Sequence, residues 1–147
     1  MDYRKIISNL LELAEEDSRE VPVAAVIIDE NGEVLASAGN QTISEQDPTA
    51  HAEVVVIRKA AKILNSWRLD KCTLVVTLEP CVMCAAAIKT ARIPKVVFGA
   101  WDERAGGSGS RYDILRDSRL GPPVEVTPGV LAQRCSSIMT TYFSNKR

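Results

Sequence analysis

The stretch C-T-L-V-V-T-L-E-P-C-V-M-C-A-A-A-I, residues 72–88, decides the architecture of this chain. Its first half is an apolar, β-branched run, which is typical of a strand buried between two layers. Pro80 disfavours helix at the residue before it and therefore ends the strand. Residues 82–91 then have the pattern of a helix. A buried strand that leads directly into a helix is a building block of α/β sheets.

The same alternation continues on both sides of this stretch. Apolar residues at helical spacing predict a helix over 3–16, and a β-branched run at 21–29 followed by Asn31-Gly32 predicts a hairpin with 33–37. The further predictions are a loop at 39–50, a helix at 51–65, a strand at 95–99, a Gly/Ser-rich loop at 105–110, a short helix near 112–116, a strand at 124–127 and a helix at 130–142.

This order of elements predicts an α/β fold with a mixed sheet of about five strands and helices on both faces. No internal repeat, low-complexity tract or linker interrupts the pattern, so we expect residues 1–147 to form a single domain.

Composition restricts the classes of protein that fit the chain. With 147 residues and 46 % hydrophobic content, it can bury a core without disulfides. The first residues are too charged for a signal peptide, and no apolar run approaches the ~18 residues of a membrane span. We therefore expect a cytoplasmic protein with no membrane association, in which a C-x-x-C pair indicates metal or redox chemistry.

Charge is unevenly distributed along the chain. Residues 1–80 carry 8 Lys and Arg against 14 Asp and Glu, whereas residues 81–147 carry 10 against 5. A basic second half is compatible with a polyanionic partner, and also with helix faces that merely differ in their solvated charges.

Two short motifs bear on the chemistry. His51 is the single histidine and lies two residues before Glu53. Taken alone, this pair is well explained as the first turn of a helix, where glutamate is common. Cys81 and Cys84 share one face of a predicted first helical turn, where the helix dipole favours thiolates. Alone, they fit a zinc site, a redox pair or two buried cysteines.

Together the motifs supply three zinc ligands, His51, Cys81 and Cys84, and a catalytic zinc keeps a fourth position open. Cys72 begins the preceding strand, roughly 20 Å away at about 3.3 Å per residue. Cys135 lies among apolar residues of the last helix and is interpreted as a core residue, although the sequence does not exclude it as a fourth zinc ligand. We therefore favour an open site with Glu53 as its base.

The geometry of a helix restricts where such a site can be. Positions 51 and 53 are about 200° apart on a regular helix, so their side chains meet only beyond its N-terminus. We expect the zinc ion between two helix N-termini, one starting near His51 and one near Cys81.

H-A-E at 51–53 followed by P-C-V-M-C at 80–84 is the H-x-E…P-C-x-x-C signature of zinc-dependent nucleobase deaminases. The likeness extends over roughly residues 3–145, where the chain resembles the bacterial tRNA-specific adenosine deaminases. The segments that carry it are E-V-P-V-A-A-V at 20–26, D-P-T-A-H-A-E at 47–53, N-S-W-R-L at 65–69, T-L-E-P-C-V-M-C-A-A-A-I at 77–88 and A-R-I-P-K-V-V-F-G-A at 91–100.

The resemblance implies a cytidine-deaminase-like three-layer α/β/α fold, a homodimer and one Zn²⁺ per subunit. It implies conversion of adenosine to inosine at the wobble position of a tRNA anticodon stem–loop. Glu53 would be the proton shuttle beside the three zinc ligands. Asn40, Asp102 and Arg104 would contact the substrate.

The chain departs from the family pattern at a few positions, among them Ala24, Thr42 and Arg111-Tyr112. None of these belongs to the predicted zinc site, but Arg111 and Tyr112 follow the predicted substrate loop. Trp67 and Trp101 are interpreted as core or rim packing.

Two other functions fit part of the pattern. The first is the same chemistry on a free base or nucleoside, as in cytosine or guanine deaminases, because the motif is common to both. The second is a non-catalytic zinc-containing RNA-binding module, which the presence of Glu53 and the lack of an evident fourth ligand disfavour.

Overall fold

The structure is a computed structural model that describes residues 1–146. A five-stranded mixed sheet lies between two pairs of helices. The elements are α1 (Tyr3–Ala14), β1 (Ala24–Ile28), β2 (Val34–Gly39), α2 (Ala52–Leu64), β3 (Thr73–Leu78), α3 (Val82–Thr90), β4 (Lys95–Ala100), β5 (Glu125–Thr127) and α4 (Ala132–Asn145). A single 3-10 turn, Ser118–Leu120, precedes β5.

The strands lie in the order β2-β1-β3-β4-β5. β1 pairs antiparallel with both β2 and β3, whereas β3, β4 and β5 run parallel. The predicted hairpin is present, with Gly32 in the left-handed region at a φ of 82°, where glycine is favoured. The prediction of a mixed five-stranded sheet in a three-layer α/β/α fold is confirmed.

Two apolar clusters cover the two faces of the sheet. On one face, α2 and α3 bury Val55, Val56 and Ile88 against β1, β3 and β4. On the other face, α1 and α4 bury Ile7, Leu10 and Cys135, among others. Strands with both faces covered must be apolar throughout, which explains the continuous apolar runs of the sequence.

The prediction of a short helix near residues 112–116 is wrong. Asp113 forms an isolated bridge with Ser108, and the Ile114 amide donates to the Gly107 carbonyl at 2.7 Å. The backbone of this segment is therefore hydrogen bonded to the preceding loop instead of to its own next turn. The only helical turn in this region within residues 1–146 is Ser118–Leu120.

The parallel arrangement of β3 and β4 brings the segments that follow these strands to the same end of the sheet. The connections that follow these two strands, at residues 79–81 and 101–110, start from the same end of the sheet. In residues 1–146, no helix is long and apolar enough to cross a membrane.

Candidate metal centre and active site

Two helices begin at the predicted zinc ligands. α2 starts at Ala52 with His51 as its N-cap, and α3 starts at Val82 with Cys81 as its N-cap. Both N-cap residues have an extended backbone, and neither uses its side chain to cap its helix. The imidazole and the thiol are therefore available to a ligand beyond the helix ends, as the sequence predicted.

Three donor atoms converge between these helix ends. The Nδ1 atom of His51 lies 3.7 Å from Sγ of Cys81 and 3.5 Å from Sγ of Cys84. The ligand atoms of all three side chains lie within 4.8 Å of one another. Tetrahedral zinc bound to nitrogen and sulfur at its usual bond lengths holds those two atoms about 3.6 Å apart. The spacing and the donor types therefore fit zinc.

The two sulfur atoms differ in their affinity for a proton. Hydrogen bonds from Cys84 and His51 stabilise the Cys81 thiolate and lower its pKa to about 4, although burial opposes this. The same contact with Cys81, together with burial, raises the pKa of Cys84. Hydrogen bonding to Cys81 also raises the pKa of His51. Cys81 is therefore the thiolate of the metal-free pair, and a metal ion must displace the proton of Cys84.

Glu53 lies next to the donor triangle and is 4 % exposed. Burial raises the pKa of this carboxyl group to about 7. Glu53 and His51 both line the same cavity, and the charges of His51 and Cys81 act on the Glu53 carboxyl group. A carboxyl group with a pKa near neutrality is suited to both accepting and donating a proton at that pH.

The cavity over this site has a volume of ≈ 1380 Å³. His51, Glu53 and Cys81 lie on its wall together with residues 100–105, and one face of α4 forms another part of the wall. Polar and aromatic side chains of α4, such as Thr140 and Phe143, line the cavity. A space of this size accommodates far more than one water molecule and is open to solvent.

The three predicted substrate residues all line this cavity. The Nδ2 atom of Asn40 donates to Thr42 Oγ1 at 3.2 Å and to Glu20 Oε1 at 3.4 Å. The carboxylate of Asp102 accepts from the backbone amides of Arg104 and Ala105, at 3.1 and 3.2 Å. Asp102 thus shapes its own loop.

Arg104 and Phe143 both line the cavity, and the guanidinium carbon of Arg104 is 5.6 Å from the centre of the Phe143 ring. This cation–π contact connects the loop at 101–110 with α4. Phe143 was not predicted as a site residue.

Sequence reasoning missed two buried carboxylates that shape the site. Glu20, 3 % exposed, accepts from the backbone amides of Ile43 and Ser44, at distances down to 2.8 Å. Glu79, 2 % exposed, accepts from the amides of Asp102, Ser108 and Ser110. The position of Glu79 directly before Pro80 and Cys81 was the available signal.

The remaining cysteines lie away from the donor triangle. Cys72 and Cys135 are 2 % and 1 % exposed, and burial raises the pKa of both thiols, that of Cys135 to about 11. In the part of the chain that the structure describes, the triangle of His51, Cys81 and Cys84 has no fourth protein donor among histidine, cysteine, aspartate and glutamate. The site has the composition of an open zinc centre.

The fold and this donor set define a zinc-dependent deaminase. The chain belongs to the cytidine and deoxycytidylate deaminase family, whose zinc-binding region matches residues 2–100.

Relatives of known name are similar over nearly the whole chain. The tRNA-specific adenosine deaminase of Haemophilus influenzae is 43 % identical over 97 % of this chain and 84 % of its own length. A solved structure from work on A-to-I editing by tRNA:A34 deaminases at the wobble position of transfer RNA has a TM-score of 0.80 and 38 % identity, covering 89 % of this chain and 99 % of its own.

A second activity occurs among the similar structures. Guanine deaminase from Bacillus subtilis is 32 % identical, with a TM-score of 0.67, over 99 % of this chain and 95 % of its own. The fold is therefore compatible with more than one nucleobase substrate.

Proposed function

We propose that this protein hydrolyses adenosine to inosine at the wobble position of a tRNA anticodon. The observation that carries the chemistry is the open His51, Cys81 and Cys84 triangle with the buried Glu53 beside it. The substrate assignment is supported by the 43 % identity to a tRNA-specific adenosine deaminase. Among the solved structures, the identity is 38 % to the tRNA:A34 deaminase structure and 32 % to the guanine deaminase.

His51, Cys81 and Cys84 would hold the zinc ion. A zinc ion held there supplies Lewis acidity, which lowers the pKa of water from 15.7 to about 7. Glu53 removes a proton from the attacking water and delivers it to N1 of adenine. The same carboxyl group then takes the proton of the hydroxyl that is now on C6 and passes it to the amine, so that the C6–N bond breaks, ammonia departs and a carbonyl remains at C6. Its pKa of about 7 allows both steps at neutral pH.

The start of α3 provides further stabilisation of the reaction. Negative charge that develops on the oxygen added at C6 lies near the N-terminus of this helix. The positive end of the helix dipole favours negative charge there.

The cavity wall supplies the proposed substrate contacts. Asn40 would hydrogen bond the target base, because its amide lines the cavity and is oriented by Glu20 and Thr42. Asp102 borders the nucleotides of the anticodon, and Arg104 contributes positive charge for the RNA backbone. A stacked base is inaccessible to such a cavity, so the reaction requires an adenosine that is splayed out of its loop.

The test compares an RNA substrate with free nucleosides and bases. Zinc-loaded protein is incubated with an anticodon stem–loop that carries adenosine at the wobble position, and the digested product is analysed for inosine by mass spectrometry. Adenosine, cytidine and guanine are incubated in parallel. We expect inosine from the stem–loop alone. Product from a free base or nucleoside, with none from the RNA, would contradict the tRNA assignment and retain the deaminase chemistry.

A control variant separates catalysis from binding. Glu53→Gln retains the shape of the side chain but removes its ability to exchange protons. We expect full zinc content and RNA binding with loss of inosine. If the wild-type protein binds zinc and RNA but forms no product from any substrate, a non-catalytic RNA-binding module becomes the better assignment.

Residues 1–147 act as a single domain in this proposal, and the active protein is a homodimer in the cytoplasm, where its tRNA substrate is. Val82 and Met83 are 41 % and 37 % exposed at the start of α3, which supports the presence of a partner surface close to the zinc site. Sedimentation equilibrium tests the dimer. A monomer at all protein concentrations that give full activity would refute it.

A further inference from the structure

Trp101 lies at the boundary between the active-site cavity and a second groove. It directly follows β4, is 44 % exposed and lines both spaces. The groove has a volume of ≈ 600 Å³, and its other lining residues are Glu103, Gly109, Ser110 and Arg111. An indole on the wall of a reactive site offers an aromatic face to a ligand there.

The indole is fixed in place by two contacts. Phe98, which is fully buried, meets it edge to face, with ring centres 5.0 Å apart and planes at 81°. The six-membered ring of the Trp101 indole lies against Gly109, where an added Cβ atom would be 3.0 Å from Cζ3 of Trp101. Gly109 also has a φ of +134°, which favours glycine. A ring held this way loses little conformational entropy when a ligand packs on it.

Positive charge adjoins the exposed ring. Arg111 lines the groove, and within residues 1–146 no carboxylate lies within salt-bridge distance of it. Arg116, which is also close to Gly109, is instead paired with Asp113 at 2.8 Å. An aromatic face beside an unpaired cation is the combination by which proteins hold single-stranded nucleic acid: the base stacks and the phosphate is neutralised.

We infer that Trp101 is a stacking platform for a nucleobase that flanks the target adenosine, and that Arg111 contacts the adjoining phosphate. This inference rests on the proposed function, because it requires an RNA chain that enters the cavity. Trp101 and Glu103 line both the groove and the cavity, so a strand that extends from the cavity into the groove passes the indole. Glu103 also lines the groove, but the cation of Arg111, unpaired within residues 1–146 and beside the aromatic face, favours RNA over a second copy of this chain as the occupant.

Fluorescence provides a direct test of stacking. The chain has two tryptophans. Trp67, 60 % exposed in the connection between α2 and β3, does not line the cavity or the groove. The Trp67→Phe variant therefore leaves Trp101 as the single reporter, and Glu53→Gln in the same chain prevents turnover. We expect the anticodon stem–loop to quench the tryptophan fluorescence of this protein. It should not quench the fluorescence of the matched Trp101→Phe variant, which retains Trp67.

A binding cycle tests which base is stacked. Stem–loops with an abasic site on the 5′ or the 3′ side of the target adenosine are compared in the Glu53→Gln background with and without Trp101→Ala. We expect Trp101→Ala to weaken binding of the intact stem–loop by about 5- to 150-fold, and Trp101→Phe by less. At one of the two flanking positions, removal of the base should weaken RNA binding to the protein that retains Trp101. The same removal should have little further effect on RNA binding to the Trp101→Ala protein.

Two results would overturn the inference while leaving the proposed function intact. In one, Trp101→Ala and each of the two abasic sites weaken RNA binding independently and additively, while the protein that retains Glu53 still forms inosine. The other is that a soluble quencher reaches Trp101 in the RNA-free protein only after the dimer dissociates. That result would mean that a second copy of the chain, and not RNA, covers the indole. Failure of the protein that retains Glu53 to form inosine in the stem–loop would overturn both proposals.

Discussion

Replacement of Glu79 by glutamine should uncouple the loop at 101–110 from the zinc site. The Glu79 carboxylate is 2 % exposed and accepts three backbone hydrogen bonds, from Asp102 at 2.9 Å, Ser108 at 2.9 Å and Ser110 at 3.1 Å. Glutamine has one acceptor oxygen, so its best orientation keeps the bonds from Ser108 and Ser110 and sets an NH₂ group against the Asp102 amide.

The magnitude follows from these contacts. One charge-assisted bond worth about 1.5–3 kcal/mol is lost, and two others weaken by about 1 kcal/mol each because the acceptor is neutral. Relief of the cost of burying a carboxylate offsets part of this loss. We expect a net decrease of about 2–4 kcal/mol in the free energy of unfolding, or roughly 5–15 °C in Tm.

Urea unfolding at a fixed excess of zinc measures this change, since metal binding itself contributes to stability. Glu103→Gln is the matched control, because Glu103 is an exposed carboxylate in the same loop. We expect it to change the free energy by less than about 0.5 kcal/mol. Hydrogen exchange at the Asp102 amide should accelerate in Glu79→Gln only. A Glu79→Gln protein as stable as the control would refute the idea that this carboxylate anchors the loop.

Three other perturbations have defined outcomes. Glu53→Gln should lower the rate of inosine formation by at least about 10²–10⁴-fold with unchanged zinc content, as measured by single-turnover assays and metal analysis; a loss of less than tenfold would exclude it as the proton shuttle. Removal of zinc by a chelator should expose the Cys81 thiolate, whose pKa is about 4, to alkylation at neutral pH, while Cys135, whose pKa is about 11, stays unmodified. Mass spectrometry of the labelled peptides would contradict this if Cys135 reacted first or if added zinc gave no protection. Lys89→Met should destabilise the fold by about 1–3 kcal/mol, because the three N–H groups of the buried ammonium are shared among four backbone carbonyls between residues 115 and 122. Lys62→Met, at an exposed position, should have no measurable effect in urea unfolding.

Local sequence patterns were sufficient for the fold. The apolar runs at 21–29, 72–78 and 95–99 indicated strands, and each overlaps a strand of the sheet. The hairpin followed from Asn31-Gly32, and the alternation of strand and helix indicated the three layers. These features are predictable because hydrophobic periodicity and turn chemistry are properties of neighbouring residues.

Patterns failed where the partner of a backbone group is distant. Residues 112–116 have a composition compatible with helix, yet Ile114 donates to Gly107 and Asp113 pairs with Ser108. The choice between a helical turn and a loop contact depends on what lies opposite in space. Periodicity contains no information about that.

The sequence by itself determined which side chains can bind zinc, and that they begin two helices, because His51 and Cys81 are followed directly by helix-forming residues. Only the tertiary structure decided that Nδ1 of His51 lies 3.5 Å from Sγ of Cys84, since residues 33 positions apart meet through the packing of α2 and α3 on one sheet. It also decided that Glu79 organises the loop at 101–110 and that Trp101 stays exposed. These are long-range contacts, and their geometry is fixed only when the sheet and both of its covering layers have formed.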